Sequence, residues 1–218
     1  MRSASIVLIL LAASLPATAD SPALLTFEDP IGDDRQTTYV KHVTFFGVEA
    51  TVCHDPSIDL RRVVVAREGD TLRLRAETED FGSPPVCGVA PIVTHERARG
   101  VVFGLSTWDT ALHGWFMAIL HPLEDENGDW RVCTRLQAPS GVNVLDCSPA
   151  AMDGAYEATL PLVGVAEFDD GTTYEYDLNG REINLNVAAG SRAHSPLGEW
   201  QGTLVFDDVT SSFGRFRP

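Results

Sequence analysis

Between Thr71 and Thr78 the chain alternates strictly, with Leu72, Leu74 and Ala76 on one side and Arg73, Arg75 and Glu77 on the other. A period of two is that of a strand with one dry and one wet face. The preceding segment, Leu60-Arg-Arg-Val-Val-Val-Ala-Arg67, is rich in β-branched residues, and Glu68-Gly69-Asp70 between them is a turn cluster. Together they predict a hairpin. A second hairpin is expected from Trp115–Leu120, through Glu124-Asp-Glu-Asn-Gly-Asp129, and back along Trp130–Leu136. Its Asn127-Gly128 pair is expected to supply the positive φ angles of a tight turn. Shorter strands are expected at Val101–Trp108, Tyr156–Pro161, Thr173–Leu178, Glu182–Val187 and Trp200–Phe206, with a turn of the same kind at Asn179-Gly180. No segment carries an apolar stripe at helical spacing over a useful length. Many short strands separated by Gly, Pro, Asn and Asp turns predict an all-β fold, an antiparallel β-sandwich of jelly-roll-like kind.

The N-terminus has a different pattern. Arg2 precedes the apolar run Ile6–Ala12, and Ala17-Thr18-Ala19 offers small residues before Asp20. This order predicts a cleaved signal peptide over 1–19, leaving a single domain over 20–218. The apolar run is too short to anchor in a bilayer, and no second long one follows, so membrane insertion is not expected. The expected location is secreted or periplasmic. In such a compartment the four cysteines, Cys53, Cys87, Cys133 and Cys147, read as disulfides. Of the three pairings, Cys53–Cys87 with Cys133–Cys147 is favoured because each ties neighbouring segments together. Zinc is disfavoured because no CxxC or HxxxH spacing is present.

Charge narrows the partners. The 218-residue chain carries a formal charge of −15, and Lys41 is its only lysine. Such a surface repels nucleic acid and anionic membranes.

The order of features resembles the sandwich superfamily that includes DOMON domains and family-nine carbohydrate-binding modules. The resemblance lies in the acidic stretch Asp29-Pro-Ile-Gly-Asp-Asp34, then Ile58-Asp59-Leu60-Arg-Arg-Val63, then Glu68-Gly-Asp-Thr-Leu72, and later Tyr156-Glu-Ala-Thr-Leu-Pro161. It covers about two-thirds of the mature chain in order of elements, although each motif alone is general β-protein grammar. It implies binding of sugars, or in some relatives haem, on a solvent-facing sheet or loop surface. Sugar binding uses aromatic faces against the C–H side of pyranose rings. The candidate ligand-binding residues are Trp108, Trp115, Trp130 and His113, with Asp109 and Arg131 beside them. The competing placement for these tryptophans is the core, or hairpin cross-strand pairs. The family's own ligand tryptophans cannot be matched to positions here. Haem ligation by His113 and Met117 ranks last, because nothing makes the two converge.

Asp33, Asp34, Asp55 and Asp59 form the candidate site for a structural calcium ion. Asp125, Asn127 and Asp129 also open like a calcium loop, but the glutamate that would complete it is missing, so a solvated turn is preferred. Catalysis has little support: there is no G-x-S-x-G, HExxH or phosphate-binding glycine loop. His54, Asp55 and Ser195 could be written as a triad, but any chain this rich in such residues offers one. Three functions follow in order: a non-catalytic binding module, most plausibly for carbohydrate; an extracellular structural or interaction protein; and an extracellular hydrolase.

Overall fold

A computed structural model describes residues 22–28, 38–44, 47–54, 56–83, 86–87, 96–124, 127–168, 171–194, 205–209 and 214–218. The chain is all-β among these residues. The strands are β1 (Ala23–Glu28), β2 (Thr38–Thr44), β3 (Gly47–His54), β4 (Leu60–Glu68), β5 (Thr71–Thr78), β6 (Val86–Cys87), β7 (Glu96–Asp109) and β8 (Gly114–Glu124). They continue with β9 (Trp130–Gln137), β10 (Asn143–Pro149), β11 (Tyr156–Pro161), β12 (Val163–Glu167), β13 (Thr173–Asp177), β14 (Ile183–His194), β15 (Val205–Val209) and β16 (Gly214–Phe216).

Two antiparallel sheets make the sandwich. The smaller has the order β1-β4-β5-β11; the larger runs β10-β9-β8-β7-β14-β15, with β16 also on β14. Strands β12 and β13 form a separate hairpin, and β2, β3 and β6 a three-stranded sheet. The hairpin expected from Leu60 to Thr78 is β4–β5, closed by Gly69 and Asp70 with Glu68 opposite Thr71. Gly69 takes φ +62°, as the first central position of a type II′ turn requires.

Period-two alternation builds the core. Leu72, Leu74 and Ala76 are fully buried as expected, and face Val63 and Val65 of the same sheet. From the large sheet, Val101, Phe103 and Leu105 on β7, Phe116, Ala118 and Leu120 on β8, and Ile183, Leu185 and Val187 on β14 fill the same apolar cluster. Tyr156 lies in this layer and donates its hydroxyl to the Ser57 carbonyl at 3.0 Å, which satisfies the polar end of a fully buried ring. At one margin the sheets meet through Gly214: a Cβ there would strike the Phe27 ring and Leu25 of β1.

Several local expectations change. Strand β7 extends over Glu96–Asp109, longer than the Val101–Trp108 expected, and β8 runs on to Glu124. Strand β10 was not anticipated; its Asp146, Ser148 and Pro149 hide the pattern of a strand. At the two Asn-Gly pairs only Gly128 (φ +83°) and Gly180 (φ +67°) are left-handed, so neither pair forms a turn with two positive φ angles. Asn179-Gly180 joins β13 to β14, strands of different sheets, and closes no hairpin.

Cys133 and Cys147 face each other in the β9–β10 register and are disulfide-bonded. Register also places Cys53 directly opposite Cys87 in the β3–β6 pair.

Leu74→Ala should cost about 2–5 kcal/mol in urea unfolding, because the rigid core can only partly close the cavity. Gly214→Val should also lower the urea midpoint, since Phe27 and Leu25 must move. Reducing Cys133–Cys147, which are 14 residues apart, should remove about 3 kcal/mol without changing the far-ultraviolet circular dichroism. An unchanged midpoint in any of the three would contradict the packing described.

Candidate functional site

The large sheet turns one face to the core and the other outward, and β7 and β8 show how. Thr107 and Phe116 point inward, so the alternation turns Trp108 and Trp115 outward. The register places these tryptophans directly opposite one another. They remain 44% and 48% exposed, and their rings meet edge to face, with centroids 5.4 Å apart and planes at 77°. Such a pair contributes about 0.5–1.5 kcal/mol beyond area burial and holds both rings in place.

A buried carboxylate fixes the turn beneath them. Asp109 is 5% exposed. Its Oδ1 accepts the Ala111 and Leu112 amides at 2.9 and 3.0 Å, and its Oδ2 accepts the Tyr174 hydroxyl at 2.7 Å. The Arg181 guanidinium lies 3.5 Å from Oδ2. Together these set the path of residues 110–113, which ends with His113 in the left-handed region at φ +49°. Gly114 follows, and a Cβ there would strike Pro139 of the β9–β10 turn. The Tyr174 bond, the Leu112 and Ala111 amides and the Arg181 charge hold the Asp109 carboxyl below the usual carboxylate range, against the opposing effect of burial. Burial, then the bond to Asp109, pushes the Tyr174 hydroxyl up to about 12.

Polar groups surround the aromatic pair. One step along β7 and β8 come Ser106 and Met117, opposed by Asn184 on β14 and Gln137 on β9. The Asn184 amide donates to the Ser106 carbonyl at 3.5 Å. Beside Trp108, exposed Glu182 pairs with Arg215 and Arg217, each at 3.5 Å. Sequence reading missed Asn184, Gln137 and Glu182 as neighbours of the pair, because only strand pairing brings them there.

Of the sequence-predicted ligand residues, Trp108 and Trp115 come together and His113 sits exposed in the turn between their strands. Trp130 lies elsewhere. It is half-buried on the inner side of β9, stacked on Phe81 at 5.3 Å and edge-on to Tyr156 at 5.5 Å, against the core. No family model, curated protein or solved structure matches this chain.

Asp33, Asp34 and Asp55 of the candidate calcium set lie outside the described residues, as do Ser195 and the expected signal peptide. Asp59 is fully buried at the start of β4. Among the described residues no group of three or more His, Cys, Asp or Glu side chains is arranged to hold a metal ion.

The smaller sheet's outward face has a contrasting chemistry. There Glu157 accepts hydrogen bonds from Arg73 at 2.9 Å and from Arg75, which also bonds Glu77. That face is covered by an ion-pair network; the face bearing the tryptophans combines exposed indoles with ion pairs such as those of Glu182 with Arg215 and Arg217.

Three outcomes are expected. Iodide should quench Trp108 and Trp115 freely but reach Trp130 far less, so Trp108→Phe and Trp115→Phe should each remove quenchable emission. Because the folded Asp109 pKa is depressed, the stabilisation is present above the unfolded carboxylate pKa and lost as pH falls through the depressed value. The urea-midpoint difference between the wild type and Asp109→Asn should therefore shrink in acid; a constant difference would rule out this linkage. Tyrosinate absorbance should show one group titrating at about 12, absent in Tyr174→Phe.

Proposed function

We propose that the protein is an exported, non-catalytic binding module that takes carbohydrate on the outward face of its large sheet. The exposed edge-to-face pair of Trp108 and Trp115 carries this reading. Large aromatics ordinarily go to the core, and a contiguous exposed pair on a rigid sheet is the kind of patch that marks a binding surface. An indole face suits the C–H side of a sugar ring. Asn184, Gln137 and Glu182 lie at the distance of neighbouring register positions, where amides and carboxylates can take hydroxyls. The formal charge of −15 disfavours anionic polymers as ligands. The hairpin is pre-arranged by Asp109, so little ordering is needed on binding.

The resemblance to carbohydrate-binding sandwich modules in element order points the same way. The tryptophan pair, and not Trp130, is where that surface would lie. A calcium ion has no assigned role in this binding.

The test is a glycan array followed by calorimetry on the glycans that bind. Trp115→Ala should weaken sugar binding about tenfold or more, equivalent to about 1.4 kcal/mol, while leaving the urea midpoint nearly unchanged. Trp130→Phe should leave the affinity in place and lower stability instead. No binding across the array, or equal affinity in Trp115→Ala, would move the interaction-protein reading to first place.

A further inference from the structure

Resting on the carbohydrate reading above, we infer that the ligand is a single, uncharged glycan chain lying along β7, and not the flat face of a crystalline polymer. Three observations carry this. The first is the angle between the tryptophans. A flat crystalline face needs coplanar rings to stack on, and planes at 77° give it only one ring at a time. The same angle gives a free sugar unit a face to stack on and an edge to abut.

The second is the surface continuing from the pair. Going along β7 from Trp108, the outward positions include Gly104 and Val102. On one side β8 presents Met117 and Ile119; on the other β14 presents Asn184 and Asn186. At Gly104 a Cβ would touch only Asn186, at 3.7 and 3.9 Å, so the space over the strand is open. One wall is therefore apolar and the other is amide. A pyranose chain laid lengthwise is amphipathic in the same sense, with C–H groups on its faces and hydroxyls along its edges. At about 3.3 Å per residue, Val102 lies about 20 Å from Trp108, longer than a single sugar ring.

The third is charge. None of the wall side chains Met117, Ile119, Asn184 and Asn186 is ionisable. The charged groups of this face, Arg135 opposite Ile119, Arg215 opposite Asn184 and the Glu182 that Arg215 pairs with, stand one strand further out or at the Trp108 end. The walls themselves thus offer a ligand no ion-pair partner, which favours an uncharged chain along β7 over one whose binding needs salt bridges.

Calorimetry with gluco-, xylo- and manno-oligosaccharides from mono- to tetrasaccharide tests the inference, together with sedimentation against insoluble crystalline cellulose and chitin. The wild type should gain about tenfold in affinity from mono- to tetrasaccharide as more surface is covered, and should bind the crystalline polymers poorly. Gly104→Leu, which fills the lane, should abolish that gain while keeping the monosaccharide affinity. Asn186→Ala, at an exposed position that can hardly affect folding, should remove part of it. Equal affinity at all lengths, an undiminished gain in both variants, or tighter binding to crystalline polymer than to tetrasaccharide would overturn the lane while leaving the tryptophan site standing. Loss of discrimination between the wild type and Trp115→Ala on every sugar would overturn both.

Discussion

The outward face of the large sheet depends on the register of β7, which is bonded to β8 on one side and to β14 on the other. A one-residue slip of β7 against its neighbours would send Phe103 and Leu105 into solvent and Trp108 into the core, away from Trp115 on β8. The buried layer makes such a slip very costly, because residues from β7, β8 and β14 share one apolar cluster with the smaller sheet. Core packing is therefore what determines that Trp108 and Trp115 stand side by side in water. Asp109 adds a local lock at the one place where packing cannot act, the solvent-exposed turn. Its carboxylate takes two turn amides on one oxygen and Tyr174 on the other, tying the β7–β8 turn to β13.

The two outer faces show what solubility alone would have produced. On the smaller sheet, Arg73, Arg75, Glu77 and Glu157 cover the strands with a mutually compensating network. Exposed pairs of this type add little stability, and their main effect is to keep a sheet face wet and unattractive to other molecules. The large sheet departs from that solution, exposing Trp108 and Trp115 beside Met117 and Ile119. Folding does not require indoles at these positions, since shorter polar side chains would serve a wet face equally well. The departure is the observation on which the proposed binding face rests.

Much of the sandwich was legible in the sequence because alternation reports burial one strand at a time. Leu72, Leu74 and Ala76 needed no partner to be assigned inward, and Gly69-Asp70 needed only its neighbours to be assigned a turn. The positions of the tryptophans were partly legible. Extending the inward series Phe103, Leu105 to Thr107 turns Trp108 outward, and starting from Phe116, Ala118, Leu120 does the same for Trp115. The same rule applied to Val132 and Leu136 sends Trp130 inward, which separates it from the other two. The cluster around Asp109 was not legible. Tyr174 and Arg181 lie 65 and 72 residues away along the chain, and only the folded sheets bring them to one carboxylate. Strand β10 was hidden for a different reason: it pairs with β9 and is joined to it by Cys133–Cys147, while its Asp146, Ser148 and Pro149 interrupt the apolar pattern.

On the proposed carbohydrate reading, energetics favours an extended ligand over a single sugar. Covering about 100 Å² of apolar indole and sugar surface is worth about 2.5 kcal/mol, and each hydrogen bond exchanged with water adds only about 0.5–1.5 kcal/mol. Against these stands the loss of rigid-body freedom on association, estimated at 4 kcal/mol or more. One ring on Trp115 with one or two amide contacts therefore binds more weakly than millimolar, which takes about −4 kcal/mol. The association cost is incurred once, however, so each further sugar unit laid between the Met117–Ile119 wall and the Asn184–Asn186 wall adds contact at little further loss of freedom. A face that joins an aromatic anchor to an uncharged amphipathic lane gains most from ligands that use both.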